Sequence, residues 1–104
     1  MATYLLAYTG GSMPETAEEQ AAAMAAWGAW FGGVGDAIVD QGNPFGPSAS
    51  LASDGSVTDG GTSHLTGYSI LKADSLGAAT TLAKDCPVLS SGGSIEVYET
   101  FEVM

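Results

Sequence analysis

Short apolar stretches whose side chains alternate between two faces predict β-strands along this chain. Residues 3–9 are largely apolar at both their even and their odd positions, which is typical of a strand covered on both of its faces. Residues 65–72 and 94–103 alternate with a period of two and predict two further strands. In the last strand, Ile95, Val97, Phe101 and Val103 share a face, and Glu99 is the charged position among them.

A run of turn-forming residues in the middle of the chain predicts a β-hairpin. The pair Asp54-Gly55 favours the positive φ of a two-residue type I′ turn, so residues 48–52 and 56–58 are expected to pair as its strands. A second turn is expected at residues 59–63, directly before the next strand.

Helical periodicity predicts a long helix after the first strand. Residues 12–15 and 16–19 each match a capping box, and the helix is expected to continue to Phe31 and to fray after Gly35. Its expected inward stripe consists of Ala17, Ala21, Met24, Gly28 and Phe31, widened by Trp27 and Trp30.

A second helix is predicted from Leu76 to about Asp85, capped by Asp74 or Ser75 and ended by Pro87. Its expected inward stripe consists of Leu76, Ala79, Leu82 or Ala83, and Cys86. The loop at residues 40–47, rich in proline and glycine, is expected to form the rim of a cavity.

The order of these elements predicts an α+β fold of the ferredoxin-like βαββαβ type with an extra hairpin, as a single domain over residues 1–104. Both helices are expected on one face of the sheet. The first and last strands would then leave an apolar patch on the other face, which monomers avoid. A symmetric homodimer through that face is therefore predicted.

Composition narrows the range of partners. Twelve acids against two lysines give a formal charge of −10, which disfavours nucleic acid and anionic membrane surfaces. An apolar fraction of 45% nevertheless indicates a chain that folds. The single cysteine excludes an internal disulfide, and the lack of a basic segment before the first apolar run favours a cytoplasmic protein.

Three titratable residues are candidates for acid–base chemistry. Asp59 and His64 flank the glycine turn, where the carboxylate would orient the imidazole as a general base. The alternative is that Asp59 accepts from its own turn amides and His64 lies in solvent. Glu99 would act as an acid or base if it pointed into an apolar cavity, and the alternative is that it lies at a barrel rim or at a bulge.

Aromatic residues are the candidates for ligand binding. Trp27, Trp30, Tyr8 and Tyr68 would line a pocket between helix and sheet and stack on a planar ligand, whereas the alternative for the tryptophans is the core. No cofactor or metal is predicted, because one histidine and one distant cysteine do not form a zinc pattern.

Sequence features along nearly the whole chain resemble those of the YCII-related (DGPF-type) family. They are Tyr4-Leu5-Leu6-Ala7-Tyr8, the tryptophan-bearing first helix, Asp54-Gly55, Val57-Thr58-Asp59-Gly60, Gly67-Tyr68-Ser69-Ile70, Ala73-Asp74-Ser75-Leu76, Cys86-Pro87 and Ile95-Glu96-Val97. The resemblance implies a dimeric α/β barrel, a bacterial cytoplasmic setting and a cavity between sheet and helices, with no agreed activity.

The chain departs from the family pattern at two places. Asp59-Gly60-Gly61-Thr62 stands where the family has Asp-Gly-Pro-Phe, and the first helix lacks the histidine that the family's proposed enzymes pair with an aspartate. Three functions therefore remain open. They are a small-molecule-binding dimer, a small lyase, isomerase or dehalogenase acting on an aromatic or lactone substrate, and a structural dimerisation module.

Overall fold

The computed structural model describes residues 2–11 and 15–103. The described residues form six strands, namely β1 (Ala2–Thr9), β2 (Ile38–Asp40), β3 (Ala49–Leu51), β4 (Val57–Asp59), β5 (Leu65–Ala73) and β6 (Ser94–Thr100). They also form three α-helices, namely α1 (Ala17–Val34), α2 (Leu76–Ala83) and α3 (Pro87–Ser90). A 3-10 turn (Gly35–Ala37) follows α1. The predicted α+β class is confirmed.

Four of the strands form one antiparallel sheet in the order β2-β5-β1-β6. In this sheet Tyr4 lies between Leu71 and Glu99, and Tyr8 lies between Gly67 and Ile95. The main core contains alternate residues of β1 and β5 together with residues of all three helices. The helices therefore cover the same face of the sheet.

The second face of the sheet is not covered by any helix of the described residues. Leu5, Tyr68 and Ile70 lie half-buried on it, and Tyr98 is 51% exposed there. A contiguous apolar surface of this kind is characteristic of an interaction site. The predicted homodimer would use this face.

The start of α1 follows the second of the two predicted capping boxes. The Thr16 hydroxyl accepts from the amide of Glu19 at 3.0 Å, and the Glu19 carboxylate accepts from the amide of Glu15 at 2.9 Å. Both contacts satisfy amides that have no partner within the helix. The first predicted start, at residues 12–14, lies outside the described residues.

The predicted inward stripe of α1 is wrong for four of its five positions. Ala17, Ala21, Met24 and Gly28 are exposed, with Met24 at 76%. The inward face instead consists of Ala23, Trp27, Trp30, Phe31 and Val34. The reason is the size of the rings, since an aromatic side chain buries far more apolar area than alanine or glycine does. The helix rotates to place its rings on the sheet.

The predicted type I′ turn at Asp54-Gly55 is also wrong. Gly55 has a φ of +91°, but Asp54 does not have a positive φ. The amide of Gly55 donates to the carbonyl of Ala52, and the amide of Ala52 donates to the carbonyl of Ser56. The loop therefore has three residues, and its last one is a glycine.

The Asp54 carboxylate explains the longer loop. It accepts from the amide of Ser56 at 2.9 Å. A short acidic side chain that binds an amide two residues on stabilises such a turn without a positive φ of its own. This hydrogen bond also lowers the pKa of the Asp54 carboxyl.

The hairpin formed by β3 and β4 is a separate two-stranded sheet. Its cross-strand pair Leu51 and Val57 is 71% and 65% exposed. The radius of gyration is 15.1 Å, whereas about 13 Å is typical of a compact chain of this length. The hairpin therefore projects from the body of the molecule.

The second helical region matches the prediction at its start and at most positions of its inward face. Ser75 caps α2, and Ala79, Ala83 and Cys86 are buried. Leu76, predicted to face inward, is exposed because it lies at the first turn, beyond the edge of the core. The helix ends at Ala83, since Pro87 begins the separate helix α3 two residues after Asp85.

The last strand is shorter than predicted. It ends at Thr100, opposite Thr3, and β1 extends only one residue further, to Ala2, so the chain beyond has almost no neighbouring strand to pair with. Phe101 and Val103, predicted on the inward face, are both largely exposed.

Candidate ligand-binding groove

Four aromatic rings, one from β1 and three from α1, lie together. The ring of Trp27 packs edge-on against those of Tyr8 and Trp30, with centroids 5.6 Å and 5.9 Å apart. Phe31 is tilted against both indoles, at 5.7 Å from Trp27 and 5.1 Å from Trp30. Such edge and tilted contacts are the favoured arrangements of aromatic pairs. They hold the Trp27 ring in one orientation.

An open groove of about 750 Å³ runs along the outer side of this cluster. It is lined by Gln20, Ala23, Met24, Trp27, Gly28, Phe31, Gly32 and Gln41. All but the last belong to α1 and recur at three and four residues, so they form one face of the helix. A volume of this size suits a small molecule.

The far side of the groove is formed by Gln41, in the loop that was expected to rim a cavity. Its carbonyl accepts a 2.7 Å hydrogen bond from the hydroxyl of Ser69, which in turn accepts from the buried Tyr8 phenol at 2.7 Å. Burial raises the pKa of Tyr8, so this phenol stays neutral and remains a donor. The network attaches the loop to the sheet.

Gly42 fixes the loop directly after Gln41. It has a φ of +78°, and a Cβ at this position would lie 1.7 Å from the carbonyl oxygen of Tyr68. The Asp40 carboxylate accepts from the Gly42 amide at 2.8 Å. Only glycine allows the loop to approach β5 this closely.

Trp30 lies in the core and does not line the groove. It is buried, and its indole Nε1 donates to the carbonyl of Leu82 at 2.9 Å. This hydrogen bond connects α1 to α2 and satisfies the polar atom of the ring. Of the two tryptophans, Trp27 is the one that borders the groove.

Tyr68 lies on the opposite face of the sheet from Trp27. Its ring stacks on Phe45 with centroids 5.7 Å apart, and its hydroxyl donates to Asp40 at 3.4 Å. The prediction placed Tyr68 and the tryptophans around one pocket. Neighbouring residues of a strand point to opposite faces, however, and of Tyr68 and Ser69 it is Ser69 that lies on the helical side.

Asp59 and His64 are both exposed at the base of the projecting hairpin. The amides of the turn between them are bound by the hydroxyls of Ser48 and Ser50, at 2.8 Å and 3.0 Å. His64 has a φ of +54°, which turns the chain into β5. No hydrogen bond within this described turn joins the Asp59 carboxylate to the imidazole.

Glu99 is exposed and lies on β6, an edge strand of the sheet. It accepts a 2.7 Å hydrogen bond from the hydroxyl of the fully buried Tyr4. This hydrogen bond, with burial and the negative charge of Glu99, raises the pKa of Tyr4 to about 12. The contact therefore provides the hydroxyl of the buried Tyr4 with a hydrogen-bond acceptor.

The three acid–base candidates do not converge in this chain. Glu99 pairs with Tyr4, whereas Thr9 pairs with Leu65, the residue after His64. Five residues of strand, or about 17 Å, separate these two positions along the sheet. An acid and a base that act on the same ligand atom must each lie within about 3 Å of that atom.

A second groove, of about 620 Å³, lies between the 3-10 turn, the end of β5 and α2. Its lining includes Asp36, Lys72 and Asp74 but no aromatic ring. It therefore lacks a surface for stacking. Among the described residues, no three side chains of His, Cys, Asp or Glu gather as a metal site.

Comparison with models of known families, with curated proteins and with solved structures found no match to this chain. Within the described residues, the helices are too short or too polar to cross a membrane. Sequence reasoning identified Trp27 and the loop at 40–47 but did not single out Gln20 or Gln41 as groove residues. Their assignment depends on how α1 rotates and on the hydrogen bond from Ser69, neither of which has a local sequence signal.

Proposed function

We propose that this protein is a small-molecule-binding homodimer whose ligand lies in the groove along α1. The observation that carries the proposal is the half-buried indole of Trp27, held in place by Tyr8, Trp30 and Phe31 and bordering open space. A fixed aromatic wall gives a planar ligand contact area without a large entropic cost for ordering the side chain.

The strand order supports a ferredoxin-like fold and a dimeric α/β barrel as part of this proposal. When β3 and β4 are treated as an inserted hairpin, the remaining elements follow the βαββαβ order, and their strands are arranged as β2-β5-β1-β6. Membership of the YCII-related family is proposed on the same basis, together with the residues that carry the resemblance. A bacterial cytoplasmic location belongs to the same proposal, since the free thiol of Cys86 suits a reducing compartment.

The uncovered sheet face supports the dimer. Replacing Leu5 by aspartate places a charge in the middle of this face, on the central strand β1, and is expected to give a monomer. Sedimentation at micromolar concentration measures the outcome, and Leu89→Asp on the helical side is the control. A wild-type monomer at this concentration would contradict the proposed dimer.

The binding proposal is tested by a thermal-shift screen of aromatic acids, lactones and phenols, with tryptophan fluorescence recorded in parallel. A ligand of the folded state raises stability by RT ln(1 + [L]/Kd). The Trp27→Leu variant is expected to lose the shift, and Phe101→Leu, which changes an exposed ring outside the groove, is expected to keep it. A screen with no shift and no fluorescence change would overturn the binding proposal and favour the dimerisation module.

A catalytic role is not favoured by the positions of its candidate residues. Asp59 and His64 lie at the hairpin, Glu99 lies at the other end of the sheet, and none of them lines the groove. The test is a His64→Ala variant. Any turnover that survives this substitution would show that the imidazole is not its general base.

A further inference from the structure

All eight residues that line the groove along α1 are uncharged. The two lysines of the chain, Lys72 and Lys84, are both outside it. A negatively charged ligand would therefore enter a protein of charge −10 without a cation to neutralise it.

One acidic residue lies beside the groove on α1. Asp40 directly precedes Gln41, but its carboxylate accepts from the Tyr68 phenol on the other face of the sheet. Glu19 is exposed and lies four residues before Ala23, on the same side of α1. Its carboxylate accepts from a backbone amide and is paired with no cation among the described contacts. The local field therefore has the same sign as the field of the whole chain.

Two aromatic rings and a polarisable sulfur also line the groove. Trp27 and Phe31 lie 5.7 Å apart with their planes inclined by 36°, and Met24 beside them is largely exposed. The face of an aromatic ring attracts a cation, and tryptophan does so most strongly. Apolar walls and negative surroundings together favour an ammonium group that carries a hydrophobic substituent.

We propose that the ligand of this groove is an organic cation, an aryl- or alkylammonium compound, whose charged group lies over the Trp27 ring. This inference rests on the proposed binding function and specifies its ligand class. The apolar part of the ligand would contact Phe31 and Met24. The glutamine amides of Gln20 and Gln41 would bind any polar substituent.

The test compares three probes with the same ring and different charges: phenethylamine, phenylacetamide and phenylacetate. Affinities are measured by tryptophan fluorescence at low salt, where attraction between charges is screened least. Phenethylamine is expected to bind roughly fivefold tighter than phenylacetamide, and phenylacetate to bind most weakly. Raising the salt from about 20 mM to about 500 mM should narrow these differences.

Two variants test the position of the charge. Trp27→Leu keeps an apolar wall and should remove most of the preference for phenethylamine over phenylacetamide. Glu19→Gln keeps the capping interaction, and it should weaken phenethylamine binding up to about twofold without changing phenylacetamide binding. Glu96→Gln, on the other sheet face, is the matched control for the loss of one charge.

The outcomes separate the two proposals. Equal affinity for phenethylamine and phenylacetamide, tighter binding of phenylacetate, or an equal effect of the Glu96→Gln control would overturn the ammonium site while leaving a binding groove. No binding of any of the three probes would also overturn it. The proposed binding function itself fails only when the wider screen of ligands is silent as well.

Discussion

Tyr8 donates a 2.7 Å hydrogen bond to the hydroxyl of Ser69, and this hydroxyl in turn donates to the carbonyl of Gln41. The two side chains come from neighbouring strands of the sheet and are both buried. They connect the aromatic cluster at α1 to the loop that forms the opposite wall of the groove. The width of the groove therefore depends on a short buried polar chain.

The effect of breaking this chain should depend on which member is removed. Ser69→Ala leaves the Tyr8 hydroxyl and the Gln41 carbonyl without their partner, and should lower the free energy of unfolding by about 2 to 4 kcal/mol. Tyr8→Phe leaves the bond from Ser69 to Gln41 in place and should cost only about 1 kcal/mol. Urea unfolding of both single variants and the double variant measures these values.

Tyr98→Phe serves as the control, since its hydroxyl forms an exposed hydrogen bond with Glu96 and should contribute little. If Tyr8→Phe and Ser69→Ala were equally mild, the buried chain would not determine stability. In the double variant the two costs should not add, because the residues share one hydrogen bond.

Two glycines should respond to alanine with opposite signs. Gly42→Ala combines a left-handed φ with a clash against the Tyr68 carbonyl, and should cost at least about 2 kcal/mol. Gly33→Ala lies in α1, where a Cβ would meet nothing within 4 Å, and should stabilise by up to about 1 kcal/mol. Thermal unfolding of both variants checks the signs, and a neutral Gly42→Ala would contradict the close approach of the loop to β5.

Alkaline titration should reveal the contact between Tyr4 and Glu99. The pKa of Tyr4 is raised from 10.0 to about 12 in the folded protein. The neutral phenol therefore favours the folded state. This contribution is fully present below pH 10.0, and it is lost as the pH rises through about 12.

NMR of isotope-labelled tyrosine measures the titration of each ring. Glu99→Gln removes the charge that opposes ionisation and should bring the pKa of Tyr4 back toward its ordinary value. The matched variant Glu96→Gln should lower the pKa of Tyr98 alone, since its hydroxyl donates to Glu96. A titration of Tyr4 unchanged by Glu99→Gln would assign the shift to burial instead.

Cys86 should be unreactive in the folded protein. It is 2% exposed, and burial raises the pKa of its thiol, so both access and thiolate formation are suppressed. A chromogenic thiol reagent should react at least about a hundredfold faster in urea than in buffer. Leu89→Cys on the exposed side of α3 provides a reactive control, and comparable native rates at the two positions would contradict the burial of Cys86.

Most strands and the α2 cap were predictable from sequence because alternation and capping are local signals, whereas the three residues of β2 were not predicted as a strand. The period of two in residues 65–72 identifies β5, and Ser75 stands directly before the helix that it caps. The rotation of α1 was not predictable, since alanines and glycines surround the rings of Trp27 and Trp30 and give little contrast between faces. Only contact with the sheet determines which residues turn inward.

The site depended on contacts between distant parts of the chain. Ser69 and Gln41 are 28 residues apart, and Tyr4 and Glu99 are 95 residues apart. A prediction that uses local patterns therefore identified Trp27 and Glu99 as residues of interest without locating their partners. The turn at Asp54 illustrates the same limit on a shorter scale, because one hydrogen bond to Ser56 lengthens the loop by a residue.

The loop at Asp54 also divides the chain in a way that bears on how it folds during synthesis. β1 and β2 precede the loop, and β5 and β6 follow it. Each of the three strand pairs in the four-stranded sheet joins one strand that precedes the loop to one that follows it. When the amino-terminal half leaves the ribosome, β1 and β2 therefore have no partner strand yet. Its tryptophan-bearing helix and apolar first strand stay unprotected until β5 emerges, so folding is necessarily late and non-local. Cleavage at this loop would give two fragments, neither of which contains a complete strand pair of the sheet. Each fragment would need the other to supply the partner strands.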